Sequence, residues 1–410
     1  MWTTKLEDNN KNKLNNQFTS FQRAMKVVII WGQCIGLNPV TGILQKDVSK
    51  IRFTRCSIQY LLAVTLAVAQ TIGTILTSYR LYKKPSNISA HGFVAFFMTA
   101  CLTTISFIRI APKWPLLMNE LINSNLDEYI QPKVVRRCKI ACAVFMAMAL
   151  RVGRVYECHE TVVNYGEMFL KVSSPWLYEL DVPYIHWVAI IIQYLNSVAT
   201  ATWNYADIFI VCISLYLTSI MEQINKKIVV TASKNFVPAS TWGVLREDYN
   251  RASKLVKLFD DLISGLVLIA FANDLFFICL QLYNVLANGI RSTQIVNKLC
   301  PGHEHNVFRI YIYPAYLIYS TVYLCVRFLT LALVSSGVHS ASLVSLPILY
   351  AVPTTSYCKE VERFQNQVNS DTVALSGLHF FYITRDLVLT VAGTIITYEL
   401  VLLQFSDDDK

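Results

Sequence analysis

This chain lacks almost everything that an enzyme's sequence advertises. It has no Walker loop and no glycine-rich dinucleotide loop, and His159 and the acids of its apolar stretches make no known nucleophile or metal pattern. Neither catalysis nor a cofactor is therefore expected. Cys300-Pro301-Gly302-His303-Glu304-His305 has a passing likeness to a metal site, but three ligands within six residues of an exposed loop read better as a solvated loop. The eleven cysteines do not form a disulfide framework. Cys101, Cys142, Cys212, Cys279 and Cys325 lie inside apolar stretches, where cysteine serves as a small packing residue. Cys158 and Cys300 fall in loops on one side and are candidates for a pair. Internal repeats and broken helices are missing too, which argues against a secondary transporter. The polar first 25 or so residues leave no cleavable signal peptide, so the first span is expected to act as its own insertion signal.

Charge is scarce as well. Only 15% of the 410 residues are charged, whereas 54% are hydrophobic and the mean hydropathy is +0.41, outside the range of soluble domains. Seven stretches read as membrane-spanning: Ser57–Arg80, Ser89–Ile110, Lys139–Glu157, Tyr184–Met221, Leu262–Leu286, Val307–Val338 and Asp386–Phe405. The expected fold is an all-α membrane protein. Its parts would be an amino-terminal arm (1–56), a six-helix bundle (57–338), an anchor region (339–385), a last helix (386–405) and a short tail (406–410). The fourth stretch, about 38 residues or near 57 Å as one helix, is longer than a bilayer needs and suggests subunits packing beyond the membrane. Val244–Phe259 patterns as an amphipathic helix continuing the fourth or fifth span. The short apolar piece VVIIWGQCIGLNPV is expected to lie against the membrane or the bundle.

The placement of Lys and Arg sets the orientation. The segment through Arg55 has nine; the second, fourth and sixth loops have four, seven and two, against six on the opposite side. The positive-inside rule then places the amino terminus in the cytoplasm and the carboxyl terminus outside, opposite to a G-protein-coupled receptor. The one glycosylation sequon, at Asn87, falls in a loop that this assignment makes extracellular. The net charge of +9 is thus a topology signal, with no need of nucleic acid.

Leu387–Phe405 carries Thr394, Thr397, Tyr398 and Gln404, which with Val401 and Phe405 fill one arc of about 120°. Such a stripe turns to water or to protein. Uncharged amides and hydroxyls suit a hydrated pore; ordinary helix–helix contact is the alternative.

The terminal TYELVLLQF (Thr397–Phe405) resembles the carboxyl-terminal signature of insect gustatory receptors, and TVAGTIITYELVLLQF, with Glu399, is similar to their sugar-receptor branch. GLNPVTGI, FIRIAPKWPLLM, ATWNYADIFI and FANDLFFICLQL are similar to that branch as well, so the likeness runs from residue 36 to 405. It implies a seven-helix subunit, four of which form a ligand-gated cation channel lined by the seventh helix. The partners it implies are a sugar, related subunits, permeant cations and lipid, in the plasma membrane of chemosensory neurons. By position, Val401, Gln404 and Phe405 would form the narrowest part, while Glu399 lies about 160° from Val401 and faces its own subunit.

A sugar site needs an aromatic face and planar amides or carboxylates. In the fourth stretch Trp203, Asn204 and Asp207 share a face, and in the fifth Asn273, Asp274, Phe277, Gln281 and Asn284 follow helical spacing. The third offers Arg151, Arg154, Glu157, His159 and Glu160. Tyr316, Tyr319 and Tyr323 in the sixth are candidates for the cavity wall or for packing. For the charged residues, ligand contact competes with an internal arginine–carboxylate network. The remaining alternatives are a receptor of the same family for another tastant, a G-protein-coupled receptor and a transporter.

Overall fold

The computed structural model describes residues 20–42, 45, 50–83, 88–126, 129–152, 185–234, 236–288 and 307–407. Long helices dominate them. Their order is α1 (Ser20–Cys34), α2 (Ile58–Lys83), α3 (Ile88–Ile110), α4 (Trp114–Asn123), α5 (Pro132–Val152), α6 (His186–Ala232), α7 (Ala239–Asn288), α8 (Val307–Leu343), α9 (Ser345–Tyr350), α10 (Lys359–Ser370) and α11 (Arg385–Asp407). Among the described residues, five helical stretches are long and apolar enough to cross a membrane: Ile58–Lys83, His91–Asn123, His186–Ala232, Ala239–Val285 and Leu317–Tyr350. The third and seventh expected spans are helices, α5 and α11, but fall outside that set. α5 begins at Pro132, seven residues before the expected Lys139, and so gathers Lys133, Arg136 and Arg137 into its first turns.

α6 forms the core. Apart from Asp207 and a few hydroxyl residues it is apolar all round from Tyr205 to Met221, the pattern of a helix surrounded by protein, and its residues there are almost all buried. α7, α8, α3 and α5 pack round it. α2 stands outermost, with Ile58, Leu61, Val68, Ile72 and Ile75 bare, as expected of a face meeting lipid. It docks on α3 through a buried hydrogen bond from Thr104 Oγ1 to Gln70 Oε1 (2.9 Å). The amphipathic Val244–Phe259 segment belongs to the fifth span: α7 runs 50 residues, about 75 Å, without a break.

α1 lies inside the bundle. Phe21, Met25, Val28 and Ile29 recur at helical spacing and are fully buried, with the Phe21 ring 4.9 Å from Tyr216 and 5.5 Å from Phe259. Gly36 follows its end at φ 81°, where a left-handed residue stops the helix, and Asn38 donates to Tyr205 Oη.

At the far end of α6–α8 the anchor region is tied by backbone-directed bonds. Asn225 Nδ2 reaches Ala341 O (2.6 Å), Gln365 Nε2 reaches Leu349 O (2.7 Å) and Tyr249 Oη reaches Ser342 O (3.2 Å). A feature absent from the helical reading follows: a small hairpin of β1 (Ser376–Gly377) and β2 (Phe381–Tyr382), paired Ser376 to Tyr382. Asp260 holds it by accepting from Ser376 N (2.6 Å) and Ser376 Oγ (2.8 Å). The hairpin leads into α11, which rests on the bundle through Leu387, Val388, Val391 and Ile395. Leu389, Ile396 and Tyr398 stay bare on its other side.

Candidate functional site

Three helices bring the polar residues of the bundle to one place. Spacings of three or four residues put Trp203 and Asp207 on one face of α6, Asp274 and Phe277 on one face of α7, and Tyr323 and Arg327 on one face of α8. These faces converge on Arg327. Its guanidinium bonds Asp207 through Nε, stands 2.8 Å from Asp274 Oδ1 through Nη2, and lies 4.2 Å from the centre of the Trp203 ring. Trp203 Nε1 donates to Asp274 Oδ1 at 3.2 Å. The indole packs on Phe277 (4.6 Å between centroids) and meets Phe96 of α3 edge-on. Tyr323 Oη donates to Asn204 Oδ1, while Asn204 Nδ2 bonds Thr200 O (2.9 Å), and Tyr319 stacks parallel to Tyr323.

Asp207, Asp274 and Arg327 are all at most 1% exposed. Burying charge is tolerated only with pairing, and here two carboxyl groups share one guanidinium. Among the described residues, Asp207 Oδ1, Asp274 Oδ2 and Arg327 Nη1 have no hydrogen-bond partner. The site therefore holds unused acceptors and an unused donor beside an indole that Arg327 and Phe277 already contact.

Of the expected ligand residues, the structure gathers Trp203, Asn204, Asp207, Asp274 and Phe277, with Asn273 buried beside Asp274. Gln281 and Asn284 lie further along α7, half-buried. Glu157 and His159, with Arg154 and Glu160, lie outside the described residues, as do Asn87, Cys158 and Cys300. Arg151 falls in the last turn of α5, and Tyr316 in α8. The residue sequence reasoning missed is Arg327. Its signal was there: a lone arginine in the otherwise apolar run VYLCVRFLTLAL. Among the described residues an arginine–carboxylate network is built by Arg327; the Arg151 side chain and Arg154 lie outside them.

Of the expected pore residues, Thr394 and Thr397 are exposed on α11, each hydroxyl bonded back to the carbonyl four residues earlier. Val401, Gln404 and Phe405 occupy its last turns.

A family model described as trehalose receptor matches residues 4–410. Among curated Drosophila melanogaster proteins, gustatory receptor for sugar taste 64a is 30% identical over 95% of this chain and 85% of its own length. Gustatory receptor for sugar taste 64f is 29% identical (95% and 82%), and gustatory receptor 5a for trehalose 28% (95% and 86%). Among solved structures, the olfactory receptor OR5 of the insect Machilis hrabei superposes with a TM-score of 0.64 at 13% identity, over 93% of this chain and 97% of that one.

Proposed function

Because the chain belongs to the trehalose-receptor family of insect gustatory receptors, we propose that it is a multi-pass membrane receptor that opens a cation-conducting pore when a sugar binds its helical bundle. The observation that carries this reading is the Arg327 site: a tryptophan face, two buried carboxylates and an amide on three different helices, with hydrogen-bonding capacity left over. The relatives' names speak of sugar taste and trehalose, and both fit a site built for hydroxyls. A sugar entering beside Trp203 would offer hydroxyls to Asp207 and Asp274 and accept from Arg327. It would thereby change how α8 is held against α6 and α7.

The pore belongs to α11, four copies of which would surround the central axis. Its apolar side packs on the bundle, while the side bearing Thr394, Thr397 and Tyr398 is bare. That bare side extrapolates to Val401, Gln404 and Phe405 on the same stripe. An uncharged amide ring predicts weak selectivity among cations. The orientation rests on the Lys and Arg bias. Expression of the chain alone in a non-neuronal cell, with whole-cell current recorded across mono- and disaccharides including trehalose, tests the reading. A sugar-evoked cation current is expected. Sugar binding without current from a surface-expressed chain would make it a receptor that needs another subunit or effector.

A further inference from the structure

The hairpin that precedes α11 lies along α7 and touches it at three heights. Ser376 is held by Asp260 through its amide (2.6 Å) and its hydroxyl (2.8 Å). Leu378 reaches Gly265, where a Cβ would stand 3.7 Å from Leu378 Cδ2. Phe381 reaches Phe271, with 5.6 Å between ring centres. Beyond the strand pair, Ile383 N donates to Leu375 O (2.8 Å), and Ile383 is fully buried. Thr384 Oγ1 then accepts from Leu387 N (3.3 Å) in the first turn of α11. The root of α11 is thus set by a hairpin that α7 holds.

Phe271 also meets the Arg327 site. It precedes Asp274 by three residues, so the two are neighbours one turn apart on α7. Its ring stands 5.6 Å from that of Phe328, edge-on at 76°, and Phe328 directly follows Arg327 on α8. Phe271 and Phe328 are only 3% and 4% exposed, so both rings are enclosed by close-packed neighbours. One buried ring is therefore shared between the chain neighbours of the ion-pair site and the hairpin that leads to α11. A stiff ring passes on a displacement that a flexible side chain would absorb.

We propose that Phe271 is the positioning residue that couples the Arg327 site to the root of α11 through this hairpin. A role in gating rests on the sugar and pore reading above; the mechanical coupling does not. When α8 shifts against α7 at Arg327, Phe328 moves Phe271, and Phe381 carries the shift to Ile383 and Thr384. Asp260 holds the other end of the hairpin, so a push on Phe381 turns the hairpin and does not slide it along α7. α11 also packs directly on α7 and α8. That direct route does not need the Phe271 ring, which is what separates the two by experiment.

Hydrogen–deuterium exchange on the full chain in nanodiscs tests the coupling without any ligand. Asp274→Asn weakens the grip on Arg327 and should speed exchange in peptides covering 376–390 several-fold. In a Phe271→Leu background the same change at Asp274 should alter those peptides by less than about twofold, a failure of additivity that marks the shared ring. Phe381→Leu, at the half-buried end, serves as a second background should Phe271→Leu fail to fold. A response to Asp274→Asn that persists in these backgrounds, or that is absent from the parent, overturns the coupling whether or not a sugar opens a pore. Where trehalose evokes current, Phe381→Leu should lower maximal current per surface receptor several-fold. Trehalose affinity, read by saturation-transfer NMR, should stay within about twofold. Equal loss of affinity and current would overturn the gating role. Failure of trehalose to evoke current from the parent counts against the channel reading alone, and exchange then decides the coupling.

Discussion

The guanidinium of Arg327 lies 4.2 Å from the ring centre of Trp203 while its Nη2 stands 2.8 Å from Asp274, so one α8 side chain is gripped at once by α6 and α7. Removing that cation leaves the buried Asp207 and Asp274 without their shared partner. Loss of one partner from a buried ion pair costs about 3–5 kcal/mol. Arg327→Met should therefore sharply reduce the yield of monodisperse protein on fluorescence-detected size exclusion. Asp274→Asn leaves one carboxylate for one guanidinium and should be recovered at near-normal yield. Equal losses for the two would show that the shared guanidinium is not what holds the site together.

The same geometry sets an expectation for ligand sensitivity. Trp203→Ala removes the ring that meets both Arg327 and Phe277, and Asp207→Asn removes a charged acceptor while leaving Asp274 to hold Arg327. Stacking is worth on the order of 1 kcal/mol and a hydrogen bond to a charged group about 1.5–3. Either change should raise the half-activating sugar concentration by several-fold to about a hundredfold, with unit conductance unchanged. A conductance change at constant sensitivity would move these residues from the ligand to the pore or the fold.

Much of this architecture was legible in the chain. Apolar length located the helices, and the charged-apolar alternation of Val244–Phe259 announced the extension that α7 makes continuous with the fifth span. Trp203, Asp207 and Asp274 stood out because lipid penalises them. Arg327 was less legible because it is a lone cation in an apolar run, with no other charged residue at helical spacing on α8 to mark its face. Periodicity alone could not say whether α1 lies on lipid or on protein, since either partner accepts the same apolar face. The Ser376–Tyr382 hairpin gave no turn signal: its left-handed positions hold Leu378 (φ 48°) and His379 (φ 60°) where glycine or asparagine would have flagged them.

That hairpin makes its own prediction. A Cβ on Gly377 would meet the Phe381 ring at 2.4 Å, and the ring is in turn wedged against Phe271 at 5.6 Å. Gly377→Ala should cost about 1–3 kcal/mol as overpacking of the joint that leads into α11. Thermal unfolding of purified protein should start several degrees lower, and an unchanged profile would mean the ring can swing aside.

One carboxylate of the anchor region sets a pH dependence. Arg246 holds the solvent-accessible Glu360 below its ordinary 4.5, with Arg363 assisting. The folded chain then binds fewer protons than the unfolded one, so this group's contribution is present at neutral pH and is lost as pH falls through the lowered value. Glu360→Gln should remove part of the acid-side loss. Thermal melts across the acid range that are identical for the variant and the parent chain would dismiss this group.

The pore reading stands on α11 and is tested there. Thr394, Thr397 and Tyr398 lie on the side that the bundle leaves bare, and Val401, Gln404 and Phe405 follow in the last turns of the same helix. In a closed four-fold pore a ring of Phe405 side chains would exclude water, so Phe405→Ser should wet it and give current without sugar. Gln404→Glu would place four carboxylates round a narrow lumen and concentrate cations there, raising divalent relative to monovalent permeation. Glu399→Gln, about 160° round the helix from Val401, should leave ion selectivity alone and alter gating or assembly. A receptor acting through a separate channel protein would show none of these selectivity changes. Unchanged reversal potentials in bi-ionic recordings of a well-expressed Gln404→Glu variant would therefore remove α11 from the conduction path, while leaving the proposed sugar site on α6, α7 and α8 to stand or fall on Trp203 and Asp207.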